Sequence, residues 1–226
     1  MNSKKQTANS LKFAVLATDV VCFRIIDGRL SVLLGKVTTV PNFAGKWALI
    51  GGLILPNETA DQSVERHLSD KASIGNIFKE QLYTFSDINR DPRGRVVSVA
   101  YMALASRDVQ NISKSRIETK WTPTDNLPKL AYDHNKIIDY GVDRLRAKIK
   151  YTNIAQYLLP EEFTLSELQT VYETVTGKRL DKRNFRKKIS ASGILKDTKL
   201  TRKQGVMRPA ALYEFSSKEI LTIDLI

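Results

Sequence analysis

The first half of the chain alternates between short apolar runs and turn residues, a pattern that predicts β-strands. The first run, residues 13–26, is rich in Val and Ile, and Asp27-Gly28 after it predicts a hairpin turn into a returning strand. Apolar positions spaced four apart predict a helix over residues 59–73. Residues 1–10 are polar, and we expect them to be flexible. Further strands are predicted over residues 30–35, 47–55, 80–85 and 96–104.

In the second half of the chain the predicted elements are mainly helices. An apolar stripe predicts a long amphipathic helix over residues 133–150. Thr164 and Glu167 then form a capping box in front of a second helix, and Asp181 can cap a third. Two short strand-like runs follow at residues 194–196 and 211–215. Two helices joined by a turn and followed by a two-stranded wing are the pattern of a winged helix-turn-helix.

The composition is that of a globular protein with a substantial core. The chain has 226 residues, of which 42% are hydrophobic and 27% are charged, which excludes the collagen-like, low-complexity and disordered classes. The length and the change of pattern near residue 150 predict an α+β protein of two domains, residues 1–150 and 151–226.

The cysteine content and the hydropathy pattern bear on the setting of the protein. The single cysteine, Cys22, cannot form an internal disulfide, and one cysteine with two histidines argues against a structural zinc site. We therefore expect a reducing, cytoplasmic setting. No apolar run approaches the ~20 residues that a membrane span needs, and we expect no secretory leader, because Asp19 interrupts the first apolar run.

The net charge of +12 points to an anionic partner, either a nucleic acid or an anionic membrane surface. Residues 178–208 carry 12 Lys and Arg against two acidic residues, a net of +10, on the predicted third helix and wing. With Phe185 and Ile189 directed inward, this helix would present its basic side chains to the major groove of double-stranded DNA. The predicted DNA contacts are Lys182, Arg183, Asn184, Arg186, Lys187, Ser190, Lys199, Arg202, Lys203 and Arg208.

Two other interpretations of this basic segment remain open. It could be a solvated cationic face, which is the usual meaning of a charge run, but the charges coincide with the helix-turn-helix pattern. It could bind RNA, but the segment has no exposed aromatic platform of the kind that single-strand readers use.

The segment from Gly52 onward resembles the Nudix box, G-x5-E-x7-R-E-U-x-E-E-x-G-U, in which U is a bulky aliphatic residue. Glu58 and Arg66 follow Gly52 at the required spacings, and Leu68 and Ile74 occupy aliphatic positions. The three helix glutamates and the second glycine are replaced in this chain, by His67, Asp70, Lys71 and Ser73.

These replacements bear directly on catalysis. Nudix enzymes hold Mg²⁺ on clustered helix carboxylates, and the metal polarises a diphosphate and activates water. Here that helix face offers Asp70 beside Lys71, which is not a Mg²⁺ ligand and repels a cation. At ~4 Å and an effective dielectric constant near 20, one such unit-charge interaction amounts to roughly 4 kcal/mol. We therefore expect a Nudix fold, an α/β/α sandwich, with no catalytic residues and no bound metal.

Longer segments resemble the NrtR-type transcriptional regulators, in which a Nudix domain precedes a winged helix. The resemblance runs in order over about residues 12–215. The segments that carry it are WALIGG (47–52), QLYTFSD (81–87), RDPRGRVVSVAY (90–101), LPEEFTLSEL (159–168) and LDKRNFR (180–186).

The resemblance implies a cytoplasmic, homodimeric DNA-binding regulator, usually a repressor, whose Nudix domain senses a small effector and needs no cofactor. In this family the effector is typically ADP-ribose and the regulated genes belong to NAD metabolism. A related branch senses a sugar and is the first alternative. The second alternative is a Mg²⁺-dependent ADP-ribose pyrophosphatase with a nucleic-acid-binding tail, against which Lys71 argues.

The candidate effector site combines a basic loop with the altered box. Guanidinium groups bind a diphosphate bidentately, so Arg90, Arg93 and Arg95 could form a diphosphate cradle. The alternative is that Asp87 and Asp91 hold these arginines in structural ion pairs. The candidate is completed by Glu58 and Arg66, which we expect to pair with each other and hold the box loop, and by Asp70, which could contact a ligand hydroxyl or be a solvated aspartate.

Overall fold

The computed structural model describes residues 13–38, 41–75, 77–109, 116–203 and 209–223. The predicted flexible residues 1–10 and the predicted DNA contact Arg208 lie outside the described residues. The strands are β1 (Val15–Ile26), β2 (Arg29–Lys36), β3 (Trp47–Leu53), β4 (Phe78–Phe85), β5 (Val96–Leu104), β6 (Thr119–Pro123), β7 (Leu195–Arg202) and β8 (Ala210–Phe215). The helices are α1 (Ala60–Ala72), α2 (His134–Tyr151), α3 (Leu165–Thr176) and α4 (Lys182–Ala191), with short 3₁₀ helices at Pro41–Phe43 and Ile154–Leu158.

Six strands form one mixed sheet in the order β4-β5-β1-β3-β2-β6. Strand β1 lies in its centre, parallel to β5 and antiparallel to β2 and β3. The turn at Asp27 and Gly28 brings Arg29 opposite Ile26, and both turn residues have positive φ angles, as a tight two-residue hairpin requires. The predicted hairpin is therefore confirmed.

The two faces of the central strand bury different helices. Val20 and Cys22 face a cluster that contains apolar side chains of α1, whereas Val21 and Phe23 face a cluster that contains those of α2. Successive side chains of a strand point to opposite faces, so the unbroken apolar run at residues 20–23 of β1 implies a helix on each side. The α/β/α sandwich expected for the first part of the chain is confirmed.

The helix boundaries follow the capping residues. Thr59 and Thr164 each accept a hydrogen bond from a backbone N–H one turn into α1 and α3, and each forms a reciprocal capping box. Helix α3 ends at Gly177, whose φ of 69° is a left-handed conformation that glycine adopts without steric cost. The predicted helix over residues 59–73, the predicted capping box at Thr164 and the predicted cap at Asp181, which accepts the N–H of Asn184, are confirmed.

Two strands differ from the pattern. Strand β6 was not predicted because it is five residues long, lies at the edge of the sheet and has no apolar alternation. Strand β7 extends to Arg202, beyond the predicted end at residue 196, although its side chains are mostly polar and exposed. Its pairing with β8 is the two-stranded wing, and backbone pairing in such an edge ribbon does not require an apolar face.

The winged helix packs directly on the rest of the protein. One continuous apolar cluster runs from Leu145 and Ile149 of α2 to Leu168 and Tyr172 of α3. On the surface, Arg107, which follows β5, pairs with Glu167 of α3 at 3.0 Å. The boundary at residue 150 therefore stays a prediction, because the core does not divide there. None of the helices in the described parts of the chain is long and apolar enough to cross a membrane.

Candidate effector pocket and nucleic-acid interface

The loop between β3 and α1 is held by the ion pair of Glu58 and Arg66. Arg66 Nη2 and Nε donate to the two carboxylate oxygens at 2.5 and 2.8 Å, and a second bond from Nη2 reaches the carbonyl of Leu53 at 3.1 Å. Glu58 also accepts the backbone N–H of Leu55 at 2.8 Å. The hydrogen bonds from Arg66 lower the pKa of Glu58 to about 2. This pair orders the loop without any metal.

The two glycines at the end of β3 allow the chain to approach its neighbours closely. A Cβ at Gly51 would lie 2.1 Å from the carbonyl oxygen of Thr18 and 2.8 Å from Oδ1 of Asp19, so no larger residue fits. Gly52 has a φ of 156°, and a Cβ there would lie 2.8 Å from the ring of His67. The glycine pair therefore brings β3 against both β1 and α1.

The side chains at the glutamate positions of the box do not suit a Mg²⁺ ion. His67 is buried, and burial together with the neighbouring Lys71 and Arg66 lowers its pKa to about 4, so the imidazole is neutral at neutral pH. Lys71 donates to the carbonyl of Gly51, and burial lowers its pKa. Asp70 faces Arg116 at 3.6 Å on a separate shallow surface.

A metal site of the Nudix type therefore does not fit this helix. Mg²⁺ requires several oxygen ligands. Within the described ranges, no three His, Cys, Asp or Glu side chains lie close enough to hold a metal ion.

A cavity of about 430 Å³ lies between the altered box and the loop before β5. Among the described residues, its charged lining consists of five basic side chains and two carboxylates, a net of three positive charges, and it therefore favours an anionic ligand. Tyr132 adds an aromatic ring, which packs 4.3 Å from the ring of Phe43. The polar and charged lining residues among those described are Asp19, Lys36, Thr38, Arg66, His67, Lys71, Arg90, Asp91, Arg93, Tyr132 and His134.

Part of the cavity lining is a buried ionic network around Arg90, whose side chain is 3% exposed. Its guanidinium donates to Asp19 of β1 at 3.2 Å and to Asp133, the residue before α2, at 2.8 Å. Asp19 also accepts the Ser98 hydroxyl at 2.6 Å and faces Nε2 of His134 at 3.3 Å. Burial raises the pKa of Asp19, but His134, Ser98 and Arg90 together lower it well below the usual range.

The other loop arginines have separate environments. Arg93 lines the cavity and binds Asp91 through Nη2 at 2.6 Å and Nε at 3.0 Å. Arg95 does not line it, because its guanidinium donates to the backbone carbonyls of Ser86 and Asp87 and closes the loop. The alternative of structural ion pairs therefore applies to Arg93, whereas Arg90 pairs with aspartates outside the loop.

Of the six candidate effector residues, three line this cavity: Arg66, Arg90 and Arg93. Glu58 and Asp70 line the shallow surface on the other side of Arg66. A position in the lining does not by itself establish a ligand contact, so the effector-binding roles of all six stay predictions.

Sequence reasoning missed Asp19, Asp133 and His134. Asp19 carried a signal, since a lone carboxylate in an otherwise apolar strand is buried and requires a partner. Its partners lie 71 and 115 positions further along the chain, so their contact could not be read from local spacing.

The ion pair of Glu58 provides a pH prediction. Its pKa is depressed in the folded state, so the pair contributes stability above the unfolded pKa of ~4.3, which is lost as the pH falls toward about 2. In Glu58→Gln, the deficit in unfolding free energy should be constant above about pH 5 and should shrink below it. Urea denaturation of both proteins at a series of pH values measures this deficit.

The matched control for this prediction is Glu65→Gln on the same helix. Glu65 pairs with Lys79 at 2.7 Å and its side chain is 61% exposed, and such surface pairs contribute ~0–1 kcal/mol. A Glu58→Gln deficit that is independent of pH down to about 2.5 would contradict the assigned ion pair.

Helix α4 presents a basic surface beside its buried side. Phe185 and Ile189 are buried against α3, and the ring of Phe185 lies 5.4 Å from that of Tyr172. The predicted contacts on this helix are all exposed: Lys182, Arg183, Asn184, Arg186, Lys187 and Ser190.

The wing residues are placed differently from one another. Lys199 and Lys203 are exposed, and Lys199 Nζ pairs with Asp197 at 3.0 Å. Arg202 binds Glu167 at 3.1 Å and the carbonyl of Glu162 at 2.9 Å, so its guanidinium ties the wing to α3. The contacts of these residues with DNA stay predictions.

Comparison with protein families divides the chain into two matched parts. Residues 15–141 match the family profile described as the NUDIX domain. Residues 155–215 match the one described as the NrtR DNA-binding winged helix domain.

Among curated proteins, the chain is 32% identical over 213 residues to the ADPR responsive transcriptional repressor NtrR of Acinetobacter baylyi, covering 91% of this chain and 83% of that protein. It is 34% identical over 117 residues to an ADP-ribose pyrophosphatase of Methanocaldococcus jannaschii, covering 51% of this chain and 69% of that enzyme.

Among solved structures, NrtR of Shewanella oneidensis in complex with a 27mer DNA superimposes with a TM-score of 0.78. The two chains are 36% identical, and the alignment covers 89% of this chain and 93% of the other. The NUDIX domain of the same protein in complex with ADP ribose aligns with a TM-score of 0.54 and 34% identity, over 62% of this chain and 94% of that domain.

Proposed function

Because the chain belongs to the NrtR family of Nudix-related transcriptional regulators, we propose that it is a repressor that binds ADP-ribose in its Nudix pocket and thereby controls its hold on an operator. The observation that carries the proposal is the exposed basic face of α4 in a chain that also has a cationic pocket. Relatives named for ADP-ribose response and for DNA and ADP-ribose complexes support it.

The proposed DNA contact centres on α4. Arg and Lys side chains bind guanine edges in the major groove, Asn184 can pair with adenine, and the remaining cations bind phosphates. We propose a homodimer whose two winged helices bind a palindromic operator in the cytoplasm, with half-sites about one helical turn apart.

The proposed effector contact is with the diphosphate of ADP-ribose. The lining includes the guanidinium groups of Arg66 and Arg93, and the planar fork of such a group binds phosphate oxygens bidentately. The net positive charge of the cavity favours this ligand over an uncharged sugar.

The route by which the pocket could act on the winged helix passes through α2. Arg90 joins the floor of the pocket to Asp133, the N-cap residue of α2, and the other end of α2 leads to α3. A shift of α2 on effector binding would move both winged helices of a dimer relative to each other. A coupling free energy of ~1–3 kcal/mol would change DNA affinity ~5–150-fold.

We further propose that the chain does not hydrolyse its effector. His67 is a neutral buried imidazole and Lys71 is a cation at positions where Nudix enzymes have carboxylates, so the carboxylate cluster that would hold Mg²⁺ is lacking on α1. The pyrophosphatase alternative is not favoured by this site.

An electrophoretic shift assay with the DNA upstream of the protein's own operon tests the proposal. The protein should shift this DNA in a sequence-specific manner, and ADP-ribose should weaken the complex ~5–150-fold. Chromatography of the same mixture with Mg²⁺ present should recover the ADP-ribose intact.

Three other results are informative. Release by a pentose but not by ADP-ribose would identify the sugar-sensing branch, and loss of ADP-ribose to AMP would support the pyrophosphatase. The absence of any sequence-specific shift, with or without effector, would overturn the proposal.

A further inference from the structure

The ammonium group of Lys71 lies at the wall of the cavity, beneath the glycine pair of β3. Its Nζ donates to the carbonyl of Gly51, and a Cβ placed on Gly52 would lie 3.4 Å from it. The side chain is partly buried and forms part of the cavity lining. The charge is therefore held at a defined point of the pocket.

Lys71 differs from the other cations of the cavity in its partners. Within the described residues, Lys36, Arg66, Arg90 and Arg93 each lie within 4 Å of a carboxylate oxygen. The hydrogen bond of Lys71 goes instead to a neutral backbone carbonyl. An ammonium has three N–H donors, so at least two remain for a ligand, and no carboxylate in the described parts of the chain forms an ion pair with it.

On this basis we propose that Lys71 is a built-in substitute for a metal ion: its ammonium binds the diphosphate oxygens of the effector, and effector binding is therefore independent of Mg²⁺. The proposal rests on the proposed function, since it takes ADP-ribose as the effector. A divalent cation beside a fixed ammonium would be repelled, so the same residue that supplies the charge also excludes the metal.

The consequence for regulation is a change in the concentrations that determine how much of the pocket is occupied. A pocket that needs Mg²⁺ responds to the concentrations of two species, whereas a pocket with a covalently attached cation responds to the nucleotide alone. Lys71 thereby serves as a determinant of specificity for diphosphate-containing ligands.

The test is calorimetric titration of ADP-ribose into the full chain, with EDTA or with Mg²⁺. For the unmodified protein, the dissociation constants in the two buffers should agree within about twofold. Lys71→Gln removes the charge and should weaken binding about 10-fold or more, the size expected for one charge-assisted hydrogen bond. Lys79→Gln, which removes an equal charge outside the cavity, should bind like the unmodified protein.

Lys71→Met is a second variant without the charge and should weaken binding in the same way. Thermal unfolding of each variant without ligand checks that it folds. Binding that requires Mg²⁺ in the unmodified protein, or unchanged binding by both Lys71 variants, would overturn the proposal and leave the proposed function standing. If the unmodified protein binds ADP-ribose in neither buffer, the proposed effector is wrong and the role of Lys71 is rejected with it.

Discussion

Replacing Arg183, Arg186 and Lys187 by glutamine should lower operator affinity at least about 100-fold. All three are exposed on α4 beside its buried side, and each contact with a base edge contributes ~1–3 kcal/mol of discrimination. If these side chains bind phosphates instead, their replacement should reduce the salt dependence of binding. The slope of log affinity against log salt should fall by ~0.9 for each phosphate that is no longer neutralised. Operator titrations by fluorescence anisotropy at several salt concentrations measure both quantities.

The matched control removes the same charge from surface residues outside the winged helix. Lys129, Lys136 and Lys150 are exposed and lie outside the winged helix, so their triple glutamine variant lowers the net charge equally. We expect that variant to retain most of its operator affinity. Equal losses in the two variants would mean that the basic charge acts non-specifically and that α4 is not the recognition helix.

Arg90→Met should destabilise the protein more than replacement of any other arginine that lines the pocket. It leaves two carboxylates, of which Asp19 is buried, without their cation. Breaking a buried ion pair in this way costs ~3–5 kcal/mol. At ~2–4 °C per kcal/mol for a chain of this size, the melting temperature should fall by roughly 6–20 °C, as differential scanning calorimetry would measure.

The loss of stability in Arg90→Met should depend on pH in a definite direction. The depressed pKa of Asp19 contributes stability above the unfolded pKa of ~3.9, and that contribution is lost as the pH falls. Without Arg90 the pKa of Asp19 should rise, so the deficit should be largest near neutral pH and should narrow below pH ~4.

Arg29→Met is the control for the buried pair. Arg29 contacts Asp125 at 2.5 Å, but the two side chains are 48% and 68% exposed, and such a pair contributes ~0–1 kcal/mol. Similar melting temperatures for the Arg90 and Arg29 variants would contradict the role assigned to the buried network.

Local patterns were sufficient for most of the secondary structure. The capping box at Thr164 and the glycine at 177 mark the ends of α3 because they satisfy backbone groups within one turn of the chain. The unbroken apolar run at residues 20–23 of β1 indicated a buried strand. Strand β6 escaped prediction because its pairing with β2 depends on residues about 90 positions away.

The altered box could also be recognised from the sequence, since its residues lie on one loop and one helix. The resemblance to the Nudix box implied the pair of Glu58 and Arg66, and the spacing of the box identified Lys71 at a carboxylate position. The spacing did not separate Asp70 from the cavity, because a helical wheel does not tell which side of a helix faces a pocket formed by distant strands.

The sequence alone determined the family, the order of all the elements except β6, the basic charge of α4 and the replacement of the box glutamates, because each is carried by residues close together in the chain. Only the tertiary structure decided that Arg90 is buried and forms ion pairs with Asp19 and Asp133. It also decided that Arg95 binds a backbone carbonyl of its own loop and that Arg202 joins the wing to α3. The physical reason is that an arginine looks the same in the sequence whether its guanidinium is buried in an ion pair, bound to a backbone carbonyl or exposed. Its partners and its burial depend on which distant strands and helices the fold brings around it.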